Sequence, residues 1–203
     1  MDQLIRLTKK TCAIKHFIEE NGFITNNMCA RIFYKGNSNS YTQAQVKLKS
    51  MYDNKILKRY IHPNTKEYIY QITIKNIDDH KKYIGDLYSR IYLYTDEIIY
   101  AKLNESSWKA TSRRNDAHII YRKGDKVVGL LIEFDKFHKT SFSKIDNIYN
   151  SGEVQEWYYD HYGVKDYFPT VMIINPTGTI NYKSDKWSCV SLDYSFDSLE
   201  SLL

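Results

Sequence analysis

The 203 residues are enough for one large domain or two small ones, and 42% hydrophobic with 26% charged residues is the balance of a folded chain rather than a disordered one. The net charge of +5 is uneven: residues 1–76 hold 13 Lys+Arg against 5 Asp+Glu, a charge of +8, while the remainder holds 16 against 19, a charge of −3. No apolar run approaches 18 residues, the first residues lack a signal peptide's basic and apolar regions, and Cys12, Cys29 and Cys189 form no CxxC, which argues against a membrane span, a secreted disulfide scaffold and a zinc finger. The expectation is a protein of the reducing cytoplasm, with no membrane partner and a basic first third suited to nucleic acid.

Residues 9–20 place Ala13, Ile14, Phe17 and Ile18 at helical spacing, with Thr8 or Thr11 as the cap and Asn21-Gly22 as the stop. Phe23-Ile24 is a short extended piece. Thr25 then caps a second helix lined by Met28, Cys29, Ile32 and Phe33. After a polar loop over 35–40, a third helix is predicted over 41–53. Its inner face is Ala44, Leu48, Met51 and Tyr52, and its outer stripe is Thr42, Gln45, Val46 and Lys49. Strands over 56–61 and 68–74 flank the turn 62–67 and make a hairpin.

Three helices and a hairpin predict a winged helix-turn-helix over 1–76. The third helix would enter the major groove of double-stranded DNA, with Thr42, Gln43, Gln45, Lys47 and Lys49 as candidate contacts. Lys58, Arg59 and Lys66 of the hairpin would meet the backbone. A winged helix used only for protein contacts is the alternative, against which the +8 charge argues.

Residues 77–100 are predicted as a connecting helix with Ile84, Leu87, Tyr88, Ile91 and Tyr92 on one side, the pattern of a link between domains or of a homodimer seam, with plain core packing as the commoner use of such a stripe. Over 101–203, strands at 116–121 and 127–134, a helix at 141–159 broken near Ser151-Gly152, and strands at 170–175 and 187–192 make a small α/β domain. Asp116 opens one strand; Glu133 and Asp135 close its neighbour, on one face and at the exposed rim. Converging, the three would be the candidate catalytic and metal residues, an oxygen-rich site for Mg²⁺ or Mn²⁺ able to activate water against a phosphodiester. Solvated strand-end acids are the alternative. No bound cofactor is expected otherwise. GxSxG, P-loop, HExxH and GxGxxG motifs are absent, and the six histidines show no ligand spacing. His138 lies near the acids as a proton carrier or a solvent-exposed loop residue.

The chain resembles the replication-relaxation family of plasmid and phage proteins. The resemblance rests on the run from Tyr41 to Tyr52, on Ile56-Leu57-Lys58-Arg59 and on Tyr68-Ile69-Tyr70-Gln71-Ile72-Thr73. Further on it rests on Asn115-Asp116-Ala117, Glu133-Phe134-Asp135, and Lys144-Ile145 followed by Tyr149. It implies DNA binding in replication, its control, or transfer of a mobile element, and a second domain similar to the restriction-endonuclease-like fold. Active members of that fold carry Asp, then Asp/Glu-x-Lys. Here Asp135 stands where the Lys belongs, and Lys136-Phe137-His138-Lys139-Thr140 departs from the family's Arg-Gly-Thr-like segment. The reading is a DNA-binding protein with a non-cleaving nuclease-like domain. A metal-dependent endonuclease and a protein-binding adaptor are the alternatives.

Overall fold

The computed structural model describes residues 8–203 except 110, 112, 137 and 138, and gives 104–107 and 113 as backbone only. The chain is mixed α/β and divides into two compact units, one ending at Leu93 and the other beginning at Tyr94.

In the first unit, helix α1 (Lys9–Asn21) starts at Thr8, whose hydroxyl accepts from the Thr11 N–H at 3.2 Å, and buries Ile14, Phe17 and Ile18. Helix α2 (Asn26–Phe33) starts at Thr25, whose hydroxyl accepts from the Met28 N–H at 3.2 Å. Each cap satisfies a donor that the first helical turn leaves without a backbone partner. Helix α3 (Ser40–Asp53) buries Ala44, Leu48 and Met51. Strands β1 (Lys58–Ile61) and β2 (Tyr68–Gln71) pair antiparallel, and Ile24 joins as a one-residue bridge to Tyr70.

Three expectations are corrected here. Tyr52 belongs to the solvent side of α3, not to its inner face. β1 begins at Lys58 because the N–H groups of Ile56 and Leu57 both turn back onto the Met51 carbonyl, at 2.9 and 3.2 Å, and finish the helix. β2 ends at Gln71, whose side-chain oxygen accepts from the Lys75 N–H at 3.0 Å and draws the chain out of the ladder.

Helix α4 (Asp79–Tyr94) fills most of the segment expected to connect domains, and it packs within the first unit. Ile84, Leu87 and Ile91 are buried, the Tyr88 ring stacks on Phe17 with centroids 5.9 Å apart, and Arg31 of α2 bonds Asp86 and Ser89. The apolar stripe that suggested a dimer seam is therefore covered by the unit's own core.

In the second unit, strands β3 (Glu97–Trp108), β4 (Arg113–Lys123) and β5 (Lys126–Phe134) form an antiparallel meander. Helices α5 (Phe142–Ser151) and α6 (Glu153–Tyr162) follow, then strands β6 (Thr170–Ile174) and β7 (Cys189–Leu192), parallel to β5, and a last turn of helix α7 (Leu199–Leu202). The sheet order is β3-β4-β5-β6-β7, so β4 alone runs against the rest. Unbroken burial of Leu130 to Phe134 and Val171 to Ile174 marks a sheet centre covered on both faces. On one face Ile120, Leu131, Val171 and Ile173 meet Ile145, Ile148, Val154 and Tyr158 of α5 and α6. Gly152, at φ 74°, makes the expected break between these helices, a conformation that a side chain would disfavour. β3 was not foreseen, since residues 97–100 read as helix and no strand of the second domain was expected before residue 116.

Among the described residues no helix is long and apolar enough to cross a membrane.

Candidate functional site

Two surfaces carry the residues that the sequence singles out, one in each unit. On α3, burial of Ala44, Leu48 and Met51 fixes the helix and turns Thr42, Gln43, Gln45, Val46 and Lys49 outward. The stripe mixes uncharged donors and acceptors, an exposed methyl-bearing side chain and a cation, which are the groups that read base edges and phosphates. Two candidates are partly engaged. Lys47 leans across to α1, where its ammonium donates to the Thr11 hydroxyl at 2.5 Å. Lys49 pairs with Asp53 one turn on, at 2.6 Å.

The hairpin turn is not a free tip. Nε2 of the buried His62 lies 3.1 Å from the Ile77 carbonyl, and the Asn64 amide bonds both Asp79 oxygens at 2.9 and 3.0 Å. Glu67 accepts from Asn27 of α2 at 2.8 Å and pairs with Lys82 of α4. Lys58 and Lys66 remain exposed. Arg59 is half-buried, with its guanidinium between the Tyr52 and Tyr68 rings.

In the second unit the strand ends bring together a different group from the one expected. Glu133 is not at an exposed rim: it is 4% exposed, under α5. Lys144 of α5 donates to both its carboxylate oxygens, at 2.8 and 2.7 Å, and the Asn115 amide donates to one of them. Asn115 in turn accepts from the Trp108 indole N–H at 2.7 Å. The Asp116 carboxylate accepts from the Phe134 N–H at 2.7 Å. Asp135 lies beyond the end of β5, where strand alternation no longer governs direction, and its carboxylate accepts from the Thr140 N–H at 2.8 Å and from the Thr140 hydroxyl. The expected three-carboxylate cluster of Asp116, Glu133 and Asp135 is thus not formed. No group of three His, Cys, Asp or Glu side chains able to hold a metal occurs among the described residues. His138 lies outside the described residues.

Burial pushes the Glu133 carboxyl up to about 7, more than the Lys144 ammonium and the Asn115 amide pull it down; the charge of Asp116 adds to the rise. On β4, the strand beside that of Glu133, His118 sits in an aromatic cage of Tyr100, Trp108, Trp157 and Tyr158, and its Nε2 lies 2.8 Å from the Tyr158 hydroxyl. Burial holds His118 down to about 4, so it is a neutral core histidine near pH 7. Lys144 and Asn115 were not among the candidate site residues. The signal was present: a cation on the helix after β5, facing the place where the Glu-x-Asp motif lacks its own.

Chemically, the Glu133 group is closed. Both carboxylate oxygens are spent on Lys144 and Asn115, which leaves them turned toward protein donors rather than toward a cation and its water.

No protein-family model matches the chain, and neither a curated protein nor a solved structure matches it.

Proposed function

We propose that the first unit is a winged helix-turn-helix that binds double-stranded DNA, with α3 as its recognition helix. The observation that carries this reading is the outward Thr42, Gln45 and Lys49 stripe on a helix locked by Ala44, Leu48 and Met51, within a first third of the chain that bears a charge of +8. A fixed helix loses little freedom on binding, so its side-chain contacts convert into affinity. The second unit, in this reading, is a nuclease-like domain of a mobile-element protein that positions or recruits and does not cut. The closed Glu133–Lys144 pair supports that, because the metal-dependent route to phosphodiester hydrolysis holds its metal and water at the carboxylates.

The test is a gel shift at rising salt, on a duplex that the wild-type protein selects from a random pool. Gln45→Ala should weaken binding of that duplex by about 1–3 kcal/mol and leave nonspecific binding unchanged, the signature of a base contact. Lys49→Ala should weaken both and reduce the salt slope by about 0.9. Wild-type affinity in both variants would remove α3 from the interface. Nicking of supercoiled DNA with Mn²⁺ by the wild type, abolished in Glu133→Gln and Asp116→Asn, would replace the non-cleaving reading with a nuclease.

A further inference from the structure

The side chain of Arg59 is held in an unusual way for a surface cation. Its guanidinium carbon lies 4.1 Å from the centre of the Tyr52 ring and 4.7 Å from that of Tyr68. Tyr52 comes from the last turn of α3 and Tyr68 from the start of β2, so two elements grip one side chain. The Tyr70 side chain is close enough to act on it electrostatically. Among the described residues it has no carboxylate partner. Stacking uses the two faces of a guanidinium, whereas its five N–H donors point outward in the plane. With no carboxylate taking those donors among the described residues, an edge of the fork stays open. Lys55 and Lys58 line the same cleft of about 670 Å³. The acid beside them, Asp53, is already paired with Lys49. Tyr52, which lines the cleft, and Tyr68, which touches Arg59 from β2, are 36% and 38% exposed, so the arginine faces solvent.

We propose that Tyr52, Arg59 and Tyr68 form a preset clamp for a backbone phosphate of nucleic acid, with Arg59 as the contact and the tyrosines as positioning residues. The assignment rests on the DNA-binding reading above and names the atoms at which the backbone is held. An exposed Tyr–Arg surface also suits protein partners. The +8 charge of the first third and the cluster of three cations without a free acid favour a polyanion. A planar, pre-stacked fork meets two phosphate oxygens at once, which a lysine ammonium cannot reproduce.

The experiment measures binding of the wild-type-selected duplex against salt concentration, with melting temperature as the check on folding. Arg59→Lys keeps the charge and loses the fork, so affinity should fall about tenfold at an unchanged salt slope. Arg59→Ala should fall further, with the slope shallower by about 0.9. Tyr52→Leu with Tyr68→Leu should lower affinity several-fold without moving the slope, and Tyr52→Phe with Tyr68→Phe, which keeps both rings, should bind close to the wild type. A merely structural arginine would change the melting temperature and leave the slope alone. If Arg59→Lys and Arg59→Ala bind as the wild type while Gln45→Ala weakens, the clamp is wrong and the recognition helix stands. If Arg59→Ala loses only the selected sequence at an unchanged slope, the side chain reads a base, and the phosphate assignment is wrong. If the wild type binds no duplex, both readings fall.

Discussion

Gly129→Ala should destabilise the second unit by about 3 kcal/mol or more, the cost of overpacking a core plus that of a broken buried hydrogen bond. A Cβ at position 129 would stand 2.1 Å from the Tyr158 hydroxyl oxygen, 3.0 Å from its Cζ and 3.3 Å from the Pro169 Cβ. The end of a flexible side chain would step aside cheaply, but Tyr158 is a rigid ring, 4% exposed, between His118 and Tyr167. To move, it must give up its contact with His118 Nε2, leaving a buried imidazole nitrogen without its partner. Thermal unfolding followed by the near-ultraviolet signal of this aromatic cluster measures the loss. Tyr158→Phe removes the clashing oxygen, so the further cost of Gly129→Ala in that background should be clearly smaller. An undiminished cost would locate the strain elsewhere, and a wild-type melting temperature for Gly129→Ala would show that the close approach is not tight.

Lys144→Met should destabilise the protein in a way that grows with pH. Glu133 has a folded pKa of about 7 against an ordinary 4.5, so the folded state binds more protons than the unfolded state between those values, and stability falls as pH rises through that window. Above about 7 the wild-type carboxylate is ionised, opposite Lys144, and the decline stops. Without the ammonium the folded pKa rises further, and the decline continues at about 1.4 kcal/mol per pH unit. The variant should therefore lose only about 1 kcal/mol at pH 5.5, where Glu133 is protonated in both proteins and one hydrogen bond is missing. At pH 9 the loss should reach about 4 kcal/mol. His118, held down to about 4, makes stability rise with pH up to about 6.5, but it does so in both proteins and cancels in the difference. Denaturant midpoints across this range check the prediction. A difference independent of pH would mean that Lys144 does not govern the ionisation of Glu133.

The first unit was readable because its signals are local. Thr8 and Thr25 cap the next turn, and the 3.6-residue spacing of Ile14, Phe17 and Ile18 needs no knowledge of what covers it. The errors there arose at element ends, where one interaction outweighs a pattern. Leu57 is apolar and next to a strand, yet its N–H returns to Met51. Tyr52 fits the inner stripe by spacing, but at the last turn of α3 it finds Arg59 instead of the core. In the second unit, β4 and β5 were legible from their apolar runs on either side of the turn at Gly124. β3 was not, because polar residues such as Glu97, Lys102 and Asn104 are spread along it, and an edge strand needs only its partner β4 to be held. The Glu133 site was half legible. The strand pattern located Asp116 and Glu133, but only the path of α5 over the sheet decides that Lys144 reaches the carboxylate and that Asp135 turns to Thr140.

The anchoring of the hairpin turn to α2 and α4 bears on where the chain can be cut. Two strands of four residues each are too short to hold together in water. Here the hairpin draws on the Ile24 bridge and on the contacts of His62, Asn64 and Glu67 with residues 77–82 and Asn27. Hairpin and helix should then open as one cooperative element, and hydrogen exchange should find the amide protons of Tyr60 and Ile69 no faster than those in the middle of α4. An autonomous fragment has to run through Leu93; one ending at residue 76 would leave Phe23 and Met28, which pack against Gly85, facing water.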